Sequence, residues 1–402
     1  MDKLESIFGS YIVSNLFKNK SVVQANYIPE GILHRSEQIE TIASILAPSL
    51  RGEKVSNLIL YGKTGTGKTL SVQHVGQRLL AKVQELGNDN LKFIYMNCKM
   101  KKIADTEYRI IASIIRELKG VIPDTGLPTD AVYQRFIDMI DNKKQVIILV
   151  LDEIDQAVKK ISDNFIYTLT RINSELKNAQ ISLIGISNSL TFMENIDPRV
   201  RSSLGEEEVI FAPYDALQLK DILKDRANAA FKEGVLEEGV IAKCAAYAAR
   251  EHGDARRALD LLRVAGELAE RESSVKIELK HIDLANQKIE KDKILAVIES
   301  EPAQFQLVLY AIMMLDSKKE KAHMFTGDVY NAYQEVCDKT KNEILTQRRI
   351  GDIIAEFDML GIINANVISK GRQGRTREIR LMLSPEIKTK AKEILDKSFG
   401  CR

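Results

Sequence analysis

The sequence predicts an α/β domain built on a parallel sheet, continued by a small all-helical unit and closed by a third unit ending in a β-hairpin. Three observations carry this expectation. Four apolar segments, Asn57–Tyr61, Lys92–Asn97, Gln145–Leu151 and Ile181–Ile186, alternate with longer helical stretches. None alternates cleanly with polar residues, as expected of strands covered on both faces, and strand alternating with helix marks an α/β layer architecture. After Pro213-Tyr214 the strand signal stops and helical spacing continues alone. Two strand-like segments return only near residue 370, flanking a turn with glycines.

The 402 residues are 45% hydrophobic and 28% charged, enough for two or three cores. A net charge of +2 makes no global case for a nucleic-acid partner, so that case must rest on local charge. The four cysteines, Cys98, Cys244, Cys337 and Cys401, lack C-x-x-C or metal spacing, the pattern of reduced thiols inside a cell. Met1-Asp2-Lys3-Leu4-Glu5 lacks the basic-then-apolar order of a secretion signal. The apolar run Val146–Leu151 is far too short to span a bilayer. A cytoplasmic location without a membrane partner is expected.

Tyr27-Ile28-Pro29-Glu30-Gly31 reads as a turn, and Ser36 opens a helix running toward Leu46. The strands of the α/β region follow. Leu217–Phe231, Glu237–Glu251 and Ala255–Arg271 form the helical unit. His281 to about Ser300 leads into the third unit, where Gln304–Leu315, Thr326–Thr340 and Thr346–Leu360 are helices, and Ile362–Ser369 and Arg375–Leu383 are strands. Boundaries are therefore expected to give domains 1–214, 215–288 and 289–402.

Gly62-Lys63-Thr64-Gly65-Thr66-Gly67-Lys68-Thr69 fits G-x-x-x-x-G-K-[ST] without a mismatch. It lies between the strand Asn57–Tyr61 and a helix from Leu70 to Leu80, the context this motif needs. Successive backbone N–H groups of such a loop wrap phosphates, and the helix aims its positive end at the same charge. Lys68 is placed to pair with terminal phosphates, and Thr69 to offer its hydroxyl to Mg2+. The strand Val146–Leu151 runs into Asp152-Glu153. At that strand end Asp152 is suited to hold Mg2+ and Glu153 to orient and polarise an attacking water. Asn188, just after the strand Ile181–Ile186, and Arg256, in Gly253-Asp254-Ala255-Arg256-Arg257, are candidates for contact with the last phosphate. Arg257 competes with Arg256 for that role.

Thr346-Gln347-Arg348-Arg349 opens a helix whose apolar residues Ile350, Ile353, Ile354, Phe357 and Leu360 fall on one face. Gly361 follows as a stop. In a helix-turn-helix the second helix presents its N-terminal residues to the major groove, where Arg matches guanine edges and Gln adenine. Lys339-Thr340-Lys341 precedes it and is suited to phosphate. The hairpin tip Lys370-Gly371-Arg372-Gln373-Gly374-Arg375-Thr376-Arg377 is the sharpest local concentration of positive charge in the chain. Helix-turn-helix plus hairpin is a winged-helix domain, and helix and tip agree on DNA.

The loop Gly62–Thr69, the pair Asp152-Glu153, Asn188 and Arg256 together resemble the AAA+ ATPases. More narrowly, the chain resembles the archaeal origin-recognition (Orc/Cdc-type) replication initiators. That resemblance rests on Tyr27–Gln38, Leu151–Asp155, Ile196–Leu204, Phe211–Tyr214 and Gly253–Asp260, and it covers nearly the whole chain. It implies an AAA+ parallel-sheet P-loop domain with an all-α lid, followed by a C-terminal winged helix. It implies ATP or ADP with Mg2+ as cofactors, hydrolysed slowly as a switch. Leu70 and Tyr214 join the nucleotide contacts on this basis, and residues near Ile32 to Arg35 fall near the base. Lys99–Thr106 matches the neighbourhood of a family insertion that contacts DNA. The partners implied are double-stranded origin DNA, a replicative helicase of MCM type and other initiator paralogues, at a nucleoid-associated cytoplasmic location. An origin-binding negative regulator and a clamp-loader-like ATPase are the alternatives. Many AAA+ proteins place Arg directly after Ser in the segment that reaches a neighbouring subunit; here the pair is Ser202-Ser203, with Arg199 and Arg201 nearby.

Overall fold

The computed structural model describes residues 16–24, 27–87, 90–99, 106–123, 126–318, 324–369 and 375–400. The chain divides into two compact units, Met1–Ile282 and Asp283–Arg402.

The first unit is built on strands β1 (Leu58–Tyr61), β2 (Leu91–Asn97), β3 (Gln145–Asp152), β4 (Ala179–Ser187) and β5 (Glu207–Ile210). They run in the order β2-β3-β4-β1-β5, every pair parallel. β3 explains its own sequence. All eight of its residues are buried. Ile147, Leu149 and Leu151 enter one core with Phe136 and Phe165, and Val146, Ile148 and Val150 enter another with Leu58, Leu60 and Val72. Alternate side chains of a strand point to opposite faces, so a strand with a core on each side has no polar position to reveal its period. Each fully buried Val, Leu or Ile contributes about 1.5–3 kcal/mol, which makes β3 the main anchor of the sheet.

β5 was not among the expected strands. Its Glu207, Glu208 and Ile210 are exposed and only Val209 is buried. As an edge strand paired only with β1, it needs no apolar run.

Register brings the carboxyl ends of β2, β3, β4 and β1 together. Asn97 pairs with Asp152, Asp152 with Ile186, and Tyr61 with Ser187. The long helix Lys68–Glu85 starts directly after the glycine loop, with Gly67 at its cap and no side-chain cap. Its first N–H groups are therefore left for a ligand or water.

The same unit continues into three helices, Ala216–Ala230, Val240–Arg250 and Ala255–Arg271. Asp215 and Gln218 form a capping box on the first, and the Asp254 carboxylate accepts the N–H groups of Arg256 and Arg257 on the third. Such caps are each worth about 1 kcal/mol.

The second unit packs helices Ala303–Lys318, Thr326–Thr340, Gln347–Met359 and Pro385–Phe399 around one core with a three-stranded antiparallel sheet. Its strands β6 (Met324–Phe325), β7 (Ile363–Ser369) and β8 (Arg375–Leu381) lie in the order β6-β8-β7. β6 and the final helix were not anticipated. That helix is started by Ser384 as cap and Pro385 in the first turn, and buries Ile387, Ala391 and Leu395. This is a winged-helix arrangement, and the first unit is a P-loop sheet with a helical lid. Among the described residues no helix is long and apolar enough to cross a membrane.

Candidate phosphate site and basic surface

The glycine loop, the carboxyl ends of β3 and β4, and the first turn of helix Ala255–Arg271 enclose a cavity of about 450 Å3. Thr64, Gly65, Thr66, Gly67, Lys68, Thr69 and Leu70 line it, as do Asp152, Glu153, Asn188, Tyr214 and Arg256. Gly62 and Lys63 do not line it. They brace it, because the Lys68 ammonium donates to the carbonyl of Gly62 at 2.7 Å and of Lys63 at 2.8 Å. Its third bond goes to Asn188 Oδ1 at 2.9 Å. Lys68 is only 5% exposed, and burial pulls its pKa down to about 8, with Arg256 adding to the effect and Asp152, Asp155 and Asp254 opposing it.

The acidic side is equally organised. Asp152 is 4% exposed. Its Oδ2 accepts from the Thr69 hydroxyl at 2.7 Å and from the Tyr95 hydroxyl at 2.6 Å, and its Oδ1 accepts the Glu153 N–H at 2.9 Å. Glu153 has φ 55°. A non-glycine residue there is strained, and such strain is typical of functional positions. Its carboxylate faces Lys99 Nζ at 3.7 Å.

The Asp152 carboxylate and Thr69 hydroxyl are hard oxygen donors, fixed 2.7 Å apart at the cavity wall. This pair fits a small dication that also takes ligand phosphate oxygens. Among the described residues no group of three or more His, Cys, Asp or Glu is arranged to hold a metal by itself.

Arg256 and its competitor separate in space. Arg256 is exposed and lines the cavity. Arg257 is turned into an ion pair with Glu251, Nε to Oε2 3.0 Å. The cavity is also lined by Ile28, Pro29, Ile32 and Leu33 of the linker and by Ile222 and Leu259 of the helical unit, apolar side chains suited to a flat base. His34 and Arg35, from the neighbourhood expected near the base, point elsewhere. His34 meets Asp221 at 3.1 Å, and Arg35 reaches behind the glycine loop to the carbonyl of Thr66.

Three polar contributors escaped sequence reasoning. Asp155 accepts from the Ser187 hydroxyl at 3.3 Å and the Asn188 N–H at 3.4 Å. Its signal was its place three residues after Asp152. Tyr95 shares a face of β2 with Asn97, which is paired with Asp152, and only the register reveals that. Asp254 packs against Gly65, where an added Cβ would lie 1.7 Å from its carboxylate oxygen. Gly65 has φ +73°, so both space and conformation demand glycine there. The described cysteines Cys98, Cys244 and Cys337 are free and buried. Burial pushes Cys98 and Cys244 up to about 12, which keeps these thiols protonated and unreactive.

In the second unit Thr346 caps helix Gln347–Met359, its hydroxyl accepting the Arg349 N–H at 3.4 Å. Gln347, Arg348 and Arg349 are exposed, while Ile350, Ile353, Ile354 and Phe357 are buried. Among the described residues the Arg349 guanidinium makes a long 3.8 Å contact to Asp352. β8 begins at Arg375. Arg377, grouped with the tip by sequence, instead donates from its guanidinium to the Gly351 carbonyl inside the unit. Lys370, Gly371, Arg372 and Gly374 lie outside the described residues, as does the segment 100–105. In helix Pro198–Leu204, Arg199 is paired with Asp197 at 3.0 Å, Arg201 is exposed, and the Ser203 hydroxyl donates to the Arg199 carbonyl.

Comparison with known proteins agrees with both units. Residues 52–193 match the model of an AAA domain, 220–287 the Cdc6 AAA+ ATPase-type lid domain, and 296–391 the CDC6 C-terminal winged helix domain. The chain is 53% identical to an ORC1-type DNA replication protein of Thermococcus onnurineus, over 95% of this chain and 92% of the relative. It is 55% identical to one of Pyrococcus abyssi, over 92% and 88%. The Aeropyrum pernix ORC1 protein, solved in complex with DNA, superposes with a TM-score of 0.83 at 43% identity, covering 96% of this chain and 98% of that one.

Proposed function

Because the chain belongs to the ORC1-type DNA replication proteins, AAA+ ATPases with a Cdc6-type lid and winged helix, we propose that it is an ATP-dependent replication initiator that binds origin DNA. The observation that carries the nucleotide half is the direct bonding of Lys68 to Asn188 and of Thr69 to Asp152 at one cavity. Lys68 and the N–H groups of the loop hold the phosphates of ATP or ADP. Thr69 and Asp152 hold Mg2+, which when bound neutralises phosphate charge. Glu153 takes up and orients a water, Asn188 fixes that water or the last phosphate, and Arg256 reports the last phosphate to the lid. Ser203 stands where many AAA+ proteins carry Arg, and although Arg201 is exposed, Arg199 pairs with Asp197, so we read turnover as slow and serving as a switch.

The DNA half rests on exposed Gln347, Arg348 and Arg349 at a helix start, joined to the basic hairpin sequence Lys370–Arg377. Cations gain nothing from the helix dipole at that end, so a polyanion gives them a reason to be there. Gly371, Arg372, Gly374 and Arg375 serve phosphate contact, and Thr346 positions the helix start. Arg377 would have to leave Gly351 to join them. The protein acts in the cytoplasm on the nucleoid and recruits an MCM-type helicase, alone or with paralogues.

The decisive experiment is nuclease protection across genomic DNA, with and without ATP. Discrete protected sites are expected; uniform indifference to sequence would remove the initiator reading. Two further outcomes follow. Arg372→Ala with Arg375→Ala should flatten the slope of log affinity against log salt by about 0.9 for each phosphate no longer neutralised. ATP affinity should be flat below pH 8 and fall as pH rises above it. The free Lys68 amine loses its proton near 8, whereas the complex retains it, so the bound state carries more protons and the affinity drops toward tenfold per pH unit. Calorimetric titration between pH 7 and 9.5 reads this; a flat profile counts against Lys68.

A further inference from the structure

Arg35 is 4% exposed, and among the described residues no carboxylate pairs with it. Its Nε donates to the Thr66 carbonyl at 2.9 Å, one Nη to the His34 carbonyl at 3.2 Å, and the other to the Ala212 carbonyl. The guanidinium lies 3.9 Å from the centre of the Tyr214 ring and 5.6 Å from that of Phe211. Three carbonyls and two ring faces therefore compensate a buried cation, a match that the planar fork of Arg can make and Lys cannot.

The consequence lies in the peptide unit that Arg35 grips. The Thr66 carbonyl and the Gly67 N–H belong to one planar trans unit and point in opposite directions. Holding the carbonyl toward Arg35 turns the Gly67 N–H away from it. Thr66 and Gly67 line the cavity and Arg35 does not. The near side of Gly67 is closed, because an added Cβ would sit 2.9 Å from the Tyr214 hydroxyl and 3.7 Å from Arg35 Cγ, and φ is +93°.

We propose that Arg35 is a positioning residue for phosphate binding, which through the Thr66 carbonyl aims the Gly67 N–H at the bound anion. The inference rests on reading the loop as a nucleotide-phosphate site and assigns a role to a residue outside the motif. The carbonyl is held by a charged, rigid fork, so thermal rotation of the peptide is restrained before the ligand arrives. The loop is thus preorganised from behind, by a side chain that never meets the nucleotide.

The test uses the full chain as Arg35→Lys and Arg35→Met. Affinities for ATP, pyrophosphate and adenosine are measured by displacement of a fluorescent nucleotide, and the Gly67 amide resonance is followed in glycine-labelled protein. Arg35→Lys should weaken ATP and pyrophosphate about ten- to a hundredfold, leave adenosine within about twofold, and shift the Gly67 amide. Arg35→Met should do at least as much; if it fails to fold, Arg35→Lys still decides. Equal losses for all three ligands would show general support of the pocket and overturn the proposal, as would unchanged ATP affinity. Wild-type protein that binds neither ATP nor pyrophosphate would instead remove the underlying site reading, and this inference with it.

Discussion

Replacing Glu153 with Gln is expected to leave ATP affinity within a few-fold of wild type while cutting hydrolysis by about 10²–10⁴-fold. The exchange keeps the shape of the side chain and removes its charge, so phosphate contacts from Lys68 and the loop are untouched. What disappears is the carboxylate proposed to polarise water, held by an unusual backbone at φ 55° directly after Asp152, the proposed metal ligand. Single-turnover hydrolysis alongside equilibrium binding separates the two effects. Unchanged turnover in the variant would take the base assignment away from Glu153.

The second large effect is on binding. Lys68→Ala should lower affinity for ATP about a hundredfold, the order expected for charge-assisted bonds to phosphate. The amine bonds the carbonyls of Gly62 and Lys63 and the amide of Asn188, so its removal also strands three acceptors in a part-buried site. Stranded acceptors destabilise, while removal of a desolvated charge does the opposite. Fold integrity is checked by thermal melting. Tight ATP binding without this amine would mean that the phosphates lie elsewhere.

The three inner strands β1, β3 and β4 were legible because apolar faces on both sides leave near-continuous runs of Ile, Leu and Val, and β2, at one edge, was legible from the buried Leu91, Ile94 and Met96. β5 was not, because an edge strand with Glu207 and Glu208 looks like a loop until its partner is known. The final helix carried a readable start at Ser384-Pro385, but its buried stripe of Ile387, Ala391 and Leu395 is narrow and set among four lysines. The same logic divides the site. Lys68, Thr69, Asp152 and Glu153 stand in contiguous motifs whose spacing follows from phosphate chemistry. Tyr95, Asp155 and Arg35 act through strand register, a helical turn and a fold-back of the linker, relations set by tertiary pairing. The choice between Arg256 and Arg257 needed the ion pair to Glu251, which lies on the turn before the helix.

The Ala255 N–H donates to the Gly65 carbonyl at 3.2 Å, beside the Asp254 carboxylate that crowds the same glycine. The glycine loop and the helical bundle are therefore joined by a backbone bond as well as by side-chain contact. A polyanion entering that cradle would meet the Asp254 carboxylate and the Arg256 guanidinium on opposite sides of one residue, so opposing charges would act on a single hinge point.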